Sequence, residues 1–539
     1  MPSVAALALF ALATLSLASA LARGAATAVV TLAVNASDAF DVSPALVSVC
    51  LSVFAPYTPG GDPQTADWAN ADVLTMDLAD PDFALLSAAF SDVGLAAPVP
   101  TLLRIGGSYN DAVSYETPEE PCPPGSIRGA RPTTPPAGGP TFCLTRARWA
   151  EINAYADAAG FQILFGVNFY AGRNSTPGGP HTGPANLTNL EHWLAMNAAL
   201  AYPSLRGIEL GNELNDVPAA VYGADVVRAR ALLDRAYAGS AAVKKPLLTG
   251  PAINFWDAGY LKTLFAIPSV VAALDVFTHH HYGPKATDNV TVGDAWSPHF
   301  LVQSALDAAA VRAETPLWTA SGKPLWVSET ALAWDSGRNG TSNTFSDGPW
   351  YITQLAGMAY HGVSAQARQT LRGGFYQLLS NDTGRVAPNP DWWTARVFKR
   401  AMGTRFFRTA SSQPCCAPDT LFAYAACAPS GEGLTVAYVN PADAAVSVEV
   451  VDAAAPAAPF PAAPRAEWAL SSGGPARNST RVLLNGAELA YAAGALSPIE
   501  PRAVTDPSSP IVLAGRSYGF FTLKGASVPA CRSATRAAA

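Results

Sequence analysis

Between residues 45 and 378 the chain alternates short apolar runs with stretches of helical periodicity. Runs of strand character fall at 45–54, 101–105, 161–167, 207–210, 246–249, 274–278, 324–327 and 370–378, and helical stretches at 144–158, 190–201, 226–238 and 302–312 separate several of them. Strand followed by helix, repeated over this length, predicts parallel βαβ units. The number of repeats predicts an α/β fold closed into a (β/α)8 TIM barrel. A doubly wound open sheet would carry a glycine-rich phosphate loop after its first strand, and none follows residues 45–54.

Past residue 405 the pattern changes to short strands divided by turn residues, at 421–427, 433–440, 445–451, 481–484, 511–513 and 518–523. This predicts a C-terminal antiparallel β-sandwich. The Pro/Ala-rich stretch 453–465 reads as a loop. The expected organisation is a signal peptide (1–20), an N-terminal strand segment that joins the sandwich (21–44), the barrel (45–405), the sandwich (406–531) and a disordered tail (532–539).

With 49% hydrophobic and 14% charged residues, the chain is globular rather than disordered. Its net charge is −7 and it has no Lys/Arg-rich stretch, which argues against nucleic acid or an anionic membrane surface as partner. Residues 5–17 are apolar but too short to span a bilayer, and Ala18-Ser19-Ala20 supplies a cleavage pattern. No later segment is long and apolar enough for an integral membrane span. Sequons open at Asn35, Asn174, Asn186, Asn289, Asn339, Asn381 and Asn478, which fits a glycosylated export product. The expected location is secreted or extracellular, in a cell wall, or in a lysosome- or vacuole-like compartment.

The cysteines fit an oxidising compartment. Cys122 and Cys143 bracket a Pro/Gly-rich stretch with little core of its own, and Cys427 and Cys531 would tie the last strand into the C-terminal domain. Both pairs are expected to be disulfides. Cys50, Cys415 and Cys416 remain unassigned. Adjacent thiols have poor metal-ligand spacing.

The fourth apolar run ends in Glu209-Leu210-Gly211-Asn212-Glu213 and the seventh in Trp326-Val327-Ser328-Glu329. In a parallel barrel, strand C-termini build the catalytic mouth. Each run therefore delivers a carboxylate there. Two carboxylates facing across a sugar-sized gap are what retaining glycoside hydrolysis requires. One protonates the leaving oxygen and keeps a raised pKa; the other attacks the anomeric carbon and stays ionised.

Several further motifs stand in order along the chain: Leu103-Arg104-Ile105-Gly106-Gly107-Ser108, Phe165-Gly166-Val167-Asn168, Thr278-His279-His280-His281-Tyr282, Ser328-Glu329-Thr330, Arg368-Gln369-Thr370, Gly373-Gly374-Phe375-Tyr376 and Pro388-Asn389-Pro390-Asp391-Trp392-Trp393. With the strand-four motif, they make the sequence resemble the heparanase-like proteins of glycoside hydrolase family 79. The cysteine-bracketed segment and Arg148-Trp149 are most similar to the plant members.

The resemblance implies that Glu213 is the general acid/base and Glu329 the nucleophile. It implies that Asn212 bonds the sugar 2-hydroxyl, Tyr282 bonds the nucleophile, and His280 braces the site. Gln369 and Tyr376 would line the glycone pocket, with Tyr376 near its carboxylate. Ser108 and Asn110 would meet sugar hydroxyls, and Arg104 would lie beneath the nucleophile.

The sequence departs from the family pattern in three places. The first strand, Cys50-Leu51-Ser52-Val53-Phe54, lacks the usual terminal Asp. A Tyr-Gly-Gly turn that binds the uronate through backbone N–H groups in some relatives is replaced by Trp334-Asp335-Ser336-Gly337, so Asp335 must point away from a substrate carboxylate. Basic heparin-binding clusters are missing.

No cofactor is implied. A metal site at His279-His280-His281 is disfavoured, because neighbouring strand residues face opposite ways. Trp392-Trp393 reads as packing against the barrel. The expected function is retaining cleavage of β-glucuronosidic bonds in a carbohydrate substrate, a uronic-acid-containing glycan or glucuronide. The alternatives are a retaining barrel glycosidase for a neutral xyloside or arabinoside, and a catalytically inactive carbohydrate-binding cell-surface protein.

Overall fold

The computed structural model describes residues 29–53, 68, 71–107, 109–122, 142–174, 181–239, 244–253, 257–288, 290–380, 384–492 and 494–531. The signal-peptide segment, Ser108, the sequons at Asn289 and Asn381, and the 532–539 tail lie outside these residues.

Eight parallel strands close a barrel. From first to eighth they are Val47–Ser52, Thr101–Gly106, Phe161–Val167, Leu205–Leu210, Leu247–Ile253, Val276–Tyr282, Leu325–Ala331 and Val363–Arg368. The ring closes where the eighth strand pairs with the first, Arg368 opposite Val49. Most strand residues are buried, under helices outside and against each other inside. That is why the strands read as unbroken apolar runs. Leu102, Leu164, Val276, Trp326 and Ala365 fill one layer of the interior. Two residues further along the same strands the period of two brings in Arg104, Thr278 and Ser328, all buried, so the interior turns polar toward the C-terminal mouth.

The eighth strand corrects the sequence reading, which places it at 370–378. Its inward residues are the small Ala365 and Ala367. The alternate pair turns to the covering helices: Gln366 donates to the Leu355 carbonyl at 2.9 Å, and Arg368 bonds Asp347 and Asp391. A strand reading Val-Ser-Ala-Gln-Ala-Arg has no apolar run to detect. Residues 370–378 instead carry the loop after it.

The C-terminal part is a twelve-stranded sheet. The N-terminal strand Val29–Asp41 enters it, antiparallel to Arg405–Ser411 and parallel to Val446–Asp452. Alternate residues of Leu434–Asn440 serve two cores: Val436 and Tyr438 join Val30, Leu32, Val448 and Phe521 inside the sheet layers, while Ala437 and Val439 face the barrel side. Helices Asp347–Ala359 and Pro390–Ala401 lie between barrel and sheet, packing on Leu434–Asn440 and Ser517–Leu523 respectively. Trp392 and Trp393 are buried there.

The stretch 453–465, read as a loop, contains the exposed strand Ala455–Pro459. It lies at the end of the sheet order, where proline costs no ladder hydrogen bond. Arg465–Ser472, which the sequence reading omits, is a strand whose buried charges Arg465 and Glu467 pair at 2.6 Å. Cys122 is bonded to Cys143 and Cys427 to Cys531, with Cα separations of 5.7 and 5.4 Å. Cys415 and Cys416 are bonded to each other, and Cys50 is a buried free thiol.

Candidate active site

The site is built around Arg104, near the end of the second strand and 1% exposed. Its guanidinium donates from Nε to Glu209 Oε2 (2.8 Å), from Nη1 to Glu329 Oε2 (2.5 Å) and from Nη2 to Asn212 Oδ1 (2.7 Å). Glycine at 106 makes this possible, since a Cβ there would sit 2.5 Å from Arg104 Cζ. One planar cation thus ties the second strand to the fourth and seventh, the use of a rigid donor fork that suits Arg over Lys.

Glu329 lies near the end of the seventh strand. Its Oε2 takes Arg104, and its Oε1 accepts from the Tyr282 hydroxyl. Burial pushes this carboxyl up. His280 when protonated, the Arg104 charge, and the hydrogen bonds from Tyr282 and Arg104 outweigh burial and hold it below the ordinary carboxylate value. Glu213 follows the fourth strand in the left-handed region, φ 57°, held there by its N–H on the Ala252 carbonyl at 2.8 Å. A glutamate in that region is strained, and such outliers gather at functional sites. Gly211 before it has φ 79°, and a Cβ there would meet Leu214 Cδ1 at 2.5 Å, so the turn needs glycine.

His280 connects the two carboxylates. Its Nδ1 lies 2.8 Å from Glu213 Oε1 and 3.9 Å from Glu329 Oε2, while Nε2 contacts Arg104 Nη2 at 3.2 Å. Arg104 can only donate, so whenever His280 is neutral its Nε2 accepts and its Nδ1 donates to Glu213. One atom each from Glu213, His280 and Glu329 lie within 4.8 Å of one another. The same spacing would suit a metal ion, but both Glu329 oxygens are already engaged by Arg104 and Tyr282, and a cation there would be repelled by the guanidinium. His281 instead bonds Asp307 at 2.9 Å, and burial lowers the His279 imidazole to about 3.

Asn212 Oδ1 accepts from both Arg104 and the Gly107 N–H (3.2 Å). Its amide donor has no partner among the described residues and is left for a ligand. Gln369 donates to Ser52 Oγ, on the last residue of the first strand, at 2.9 Å. Tyr376 is buried, edge-on to Trp68 with ring centroids 6.1 Å apart. Trp68 donates to Ser336 Oγ at 2.8 Å.

Asp335, Ser336 and Gly337 run consecutively through the left-handed region, at φ 65°, 71° and 77°. The turn lies against Tyr376: a Cβ on Gly337 would be 2.8 Å from the Tyr376 nitrogen. The Asp335 side chain is 49% exposed and pairs with Lys285 at 3.5 Å, so its charge is turned outward and partly offset.

Asn110 was expected to meet sugar hydroxyls. It is 1% exposed and donates to the Val167 carbonyl at 3.1 Å, bracing the third strand. The next residue, Asp111, has a role the sequence reading missed. One of its oxygens accepts from Phe169 N–H and the other from Asn212 N–H, both at 2.7 Å. Burial raises this carboxyl to about 7, against the lowering effect of those N–H groups. Glu209, quoted only as part of a motif, is fully buried and takes Arg104 as its counter-ion.

The model of glycosyl hydrolase family 79, N-terminal domain, matches residues 50–356. Heparanase-like protein 3 of Arabidopsis thaliana is 29% identical over 502 residues, 87% of this chain and 88% of that protein. Baicalin-beta-D-glucuronidase of Scutellaria baicalensis is 28% identical over 365 residues, 63% of this chain and 66% of that protein. Among solved structures, the GH51 arabinofuranosidase from Xanthomonas axonopodis pv. citri superposes with a TM-score of 0.59 at 16% identity, covering 92% of this chain and 99% of that one. At that identity the likeness is one of fold.

Proposed function

As the chain belongs to glycosyl hydrolase family 79, we propose that this glycoside hydrolase cleaves β-linked glucuronosides with retention, using Glu329 as nucleophile and Glu213 as general acid/base. The observation that carries the reading is the spacing: one oxygen of each carboxylate lies within 4.8 Å of the other, with His280 Nδ1 2.8 Å from Glu213 and 3.9 Å from Glu329. Retaining enzymes need carboxyl groups about 5–5.5 Å apart, whereas inverting enzymes need about 6.5–9.5 Å to admit a water.

In the first step Glu329, held ionised by Arg104 and Tyr282, attacks the anomeric carbon while Glu213 protonates the leaving oxygen. In the second, Glu213 takes a proton from water, which attacks the same carbon and frees Glu329. Asn212 offers its amide donor to the sugar 2-hydroxyl, a contact that strengthens in the transition state.

Uronate recognition rests on Tyr376 and the backbone N–H groups of the Asp335-Ser336-Gly337 turn. The outward pairing of Asp335 with Lys285 supports it by removing the nearest repulsive charge. The glucuronidase activity named for the Scutellaria relative points the same way. Export is part of this reading, in keeping with the disulfides and with exposed sequons at Asn174, Asn186, Asn339 and Asn478. Among the described residues no helix is long and apolar enough to cross a membrane. A panel of chromogenic β-glycosides at mildly acidic pH tests the substrate: the glucuronide should be turned over fastest. Preference for a xyloside or arabinoside would replace the uronate assignment with a neutral sugar.

A further inference from the structure

The end of the barrel opposite the catalytic carboxylates holds a cavity of about 640 Å³. It is framed by residues that precede the seventh and eighth strands and by the sandwich strands Val29–Asp41 and Arg405–Ser411. Arg312, Lys323, His361 and Arg408 line it. Among the described residues Asp41 is the only carboxylate in the lining, and it is bound by Arg405 through two contacts of 2.8 Å.

The cations differ in what they already do. Lys323 is spent on the carbonyls of Val271, Ala272 and Leu274, at 2.6–3.1 Å. Arg408 gives one donor to the Tyr360 carbonyl and is held over the Phe40 and Tyr360 rings, 4.9 and 5.5 Å from their centroids. Arg312 packs against Gly362 and has no hydrogen-bond or ion-pair partner among the described residues. The charges of Arg408 and Arg312 add to burial in lowering the His361 imidazole, which reports a positive local potential.

We propose that this cavity is a binding site for an oxyanion (carboxylate, sulfate or phosphate) borne on a molecule up to about disaccharide size. Two guanidinium groups, one fixed by aromatic rings and one unpaired, supply the planar donor forks that such groups accept bidentately. The volume lies in the range of small-molecule sites. The site stands at the N-terminal ends of the strands, away from the catalytic mouth.

The test is calorimetric titration of the full chain with inorganic sulfate, with glucuronate and with a sulfated disaccharide, in the wild type and in Arg312→Glu. Arg312 is exposed and unpartnered, so the fold is not at stake; Arg312→Gln serves as a milder variant. At least one probe should bind the wild type, and its dissociation constant should rise about tenfold or more in Arg312→Glu, the loss expected for a charge-assisted hydrogen bond. Turnover of a chromogenic glycoside without added anion should be unchanged. Tighter binding of the sugars than of sulfate would assign the site to an anionic saccharide, and sulfate binding alone would assign it to a free oxyanion. Affinities unaffected by Arg312→Glu, or no binding of any of the probes, would overturn the proposal.

Discussion

Replacing Arg104 with lysine keeps a positive charge but removes the fork that reaches Glu209, Glu329 and Asn212 at once. An ammonium on a flexible stem cannot hold all three in that geometry. Glu329 is ionised against the cost of burial because His280 when protonated, the Arg104 charge and the bonds from Tyr282 and Arg104 favour its charged form. A hydrogen bond to a charged group is worth about 1.5–3 kcal/mol. Losing it should raise the Glu329 carboxyl. The nucleophile works ionised, so the acid limb of kcat/KM against pH should move to higher pH. Tyr282→Phe, which removes the other partner of Glu329, should move the same limb in the same direction. Arg104→Met should go further and destabilise the fold by about 3–5 kcal/mol, since it leaves buried carboxylates without a counter-ion. Variants that fold and lose activity while the acid limb stays within a few tenths of a unit of wild type would refute this account of the electrostatics.

Tyr376→Phe should lower kcat/KM on a glucuronide by about tenfold or more while sparing a neutral xyloside, on the worth of one hydrogen bond to a charge; equal loss on both would dissociate Tyr376 from the uronate. Asp111→Asn leaves one of two backbone donors facing an amide, so it should cut kcat by about tenfold or more with little change in KM, through the looser Asn212 backbone. Because Asp111 binds its proton more tightly in the folded chain than in the unfolded one, it lowers stability as pH rises from about 4 toward about 7; Asp111→Asn should flatten that part of the stability–pH curve, and an unchanged slope would contradict it. Glu213→Ala should spare substrates with good leaving groups far more than poor ones and be rescued by azide, which takes the place of the activated water; absence of rescue with an intact fold would remove the acid/base role.

The barrel was legible where its strands are buried on both faces, because those segments are apolar throughout. Phe161–Val167 matches its sequence range, and the fourth and seventh strands end within a few residues of theirs. Legibility failed where buried positions are polar. Gln366 and Arg368 hid the eighth strand, and Arg465 and Glu467 hid Arg465–Ser472, because partners distant in sequence offset their burial. The same cause limits the reading of the site. Glu213 and Glu329 announce themselves by following apolar runs. Asp111 and Glu209 do their work through contacts about a hundred positions away, Asp111 with Asn212 and Glu209 with Arg104, and local pattern carries no trace of that. The one available signal was Glu209 itself, a second carboxylate inside a strand with no nearby countercharge in the sequence, which implies a buried cation elsewhere in the barrel.

The central claim is that Glu329 forms a covalent bond to the sugar, and trapping that bond tests it most directly. A 2-deoxy-2-fluoro β-glucuronide with a good leaving group slows both steps and lets the glycosyl-enzyme accumulate. Intact mass should rise by one fluoroglucuronosyl unit, and peptide mapping should place the label on Glu329, with none on Glu329→Gln. A label on Glu213 or another residue, or steady turnover with no adduct and release of the inverted anomer, would contradict the account.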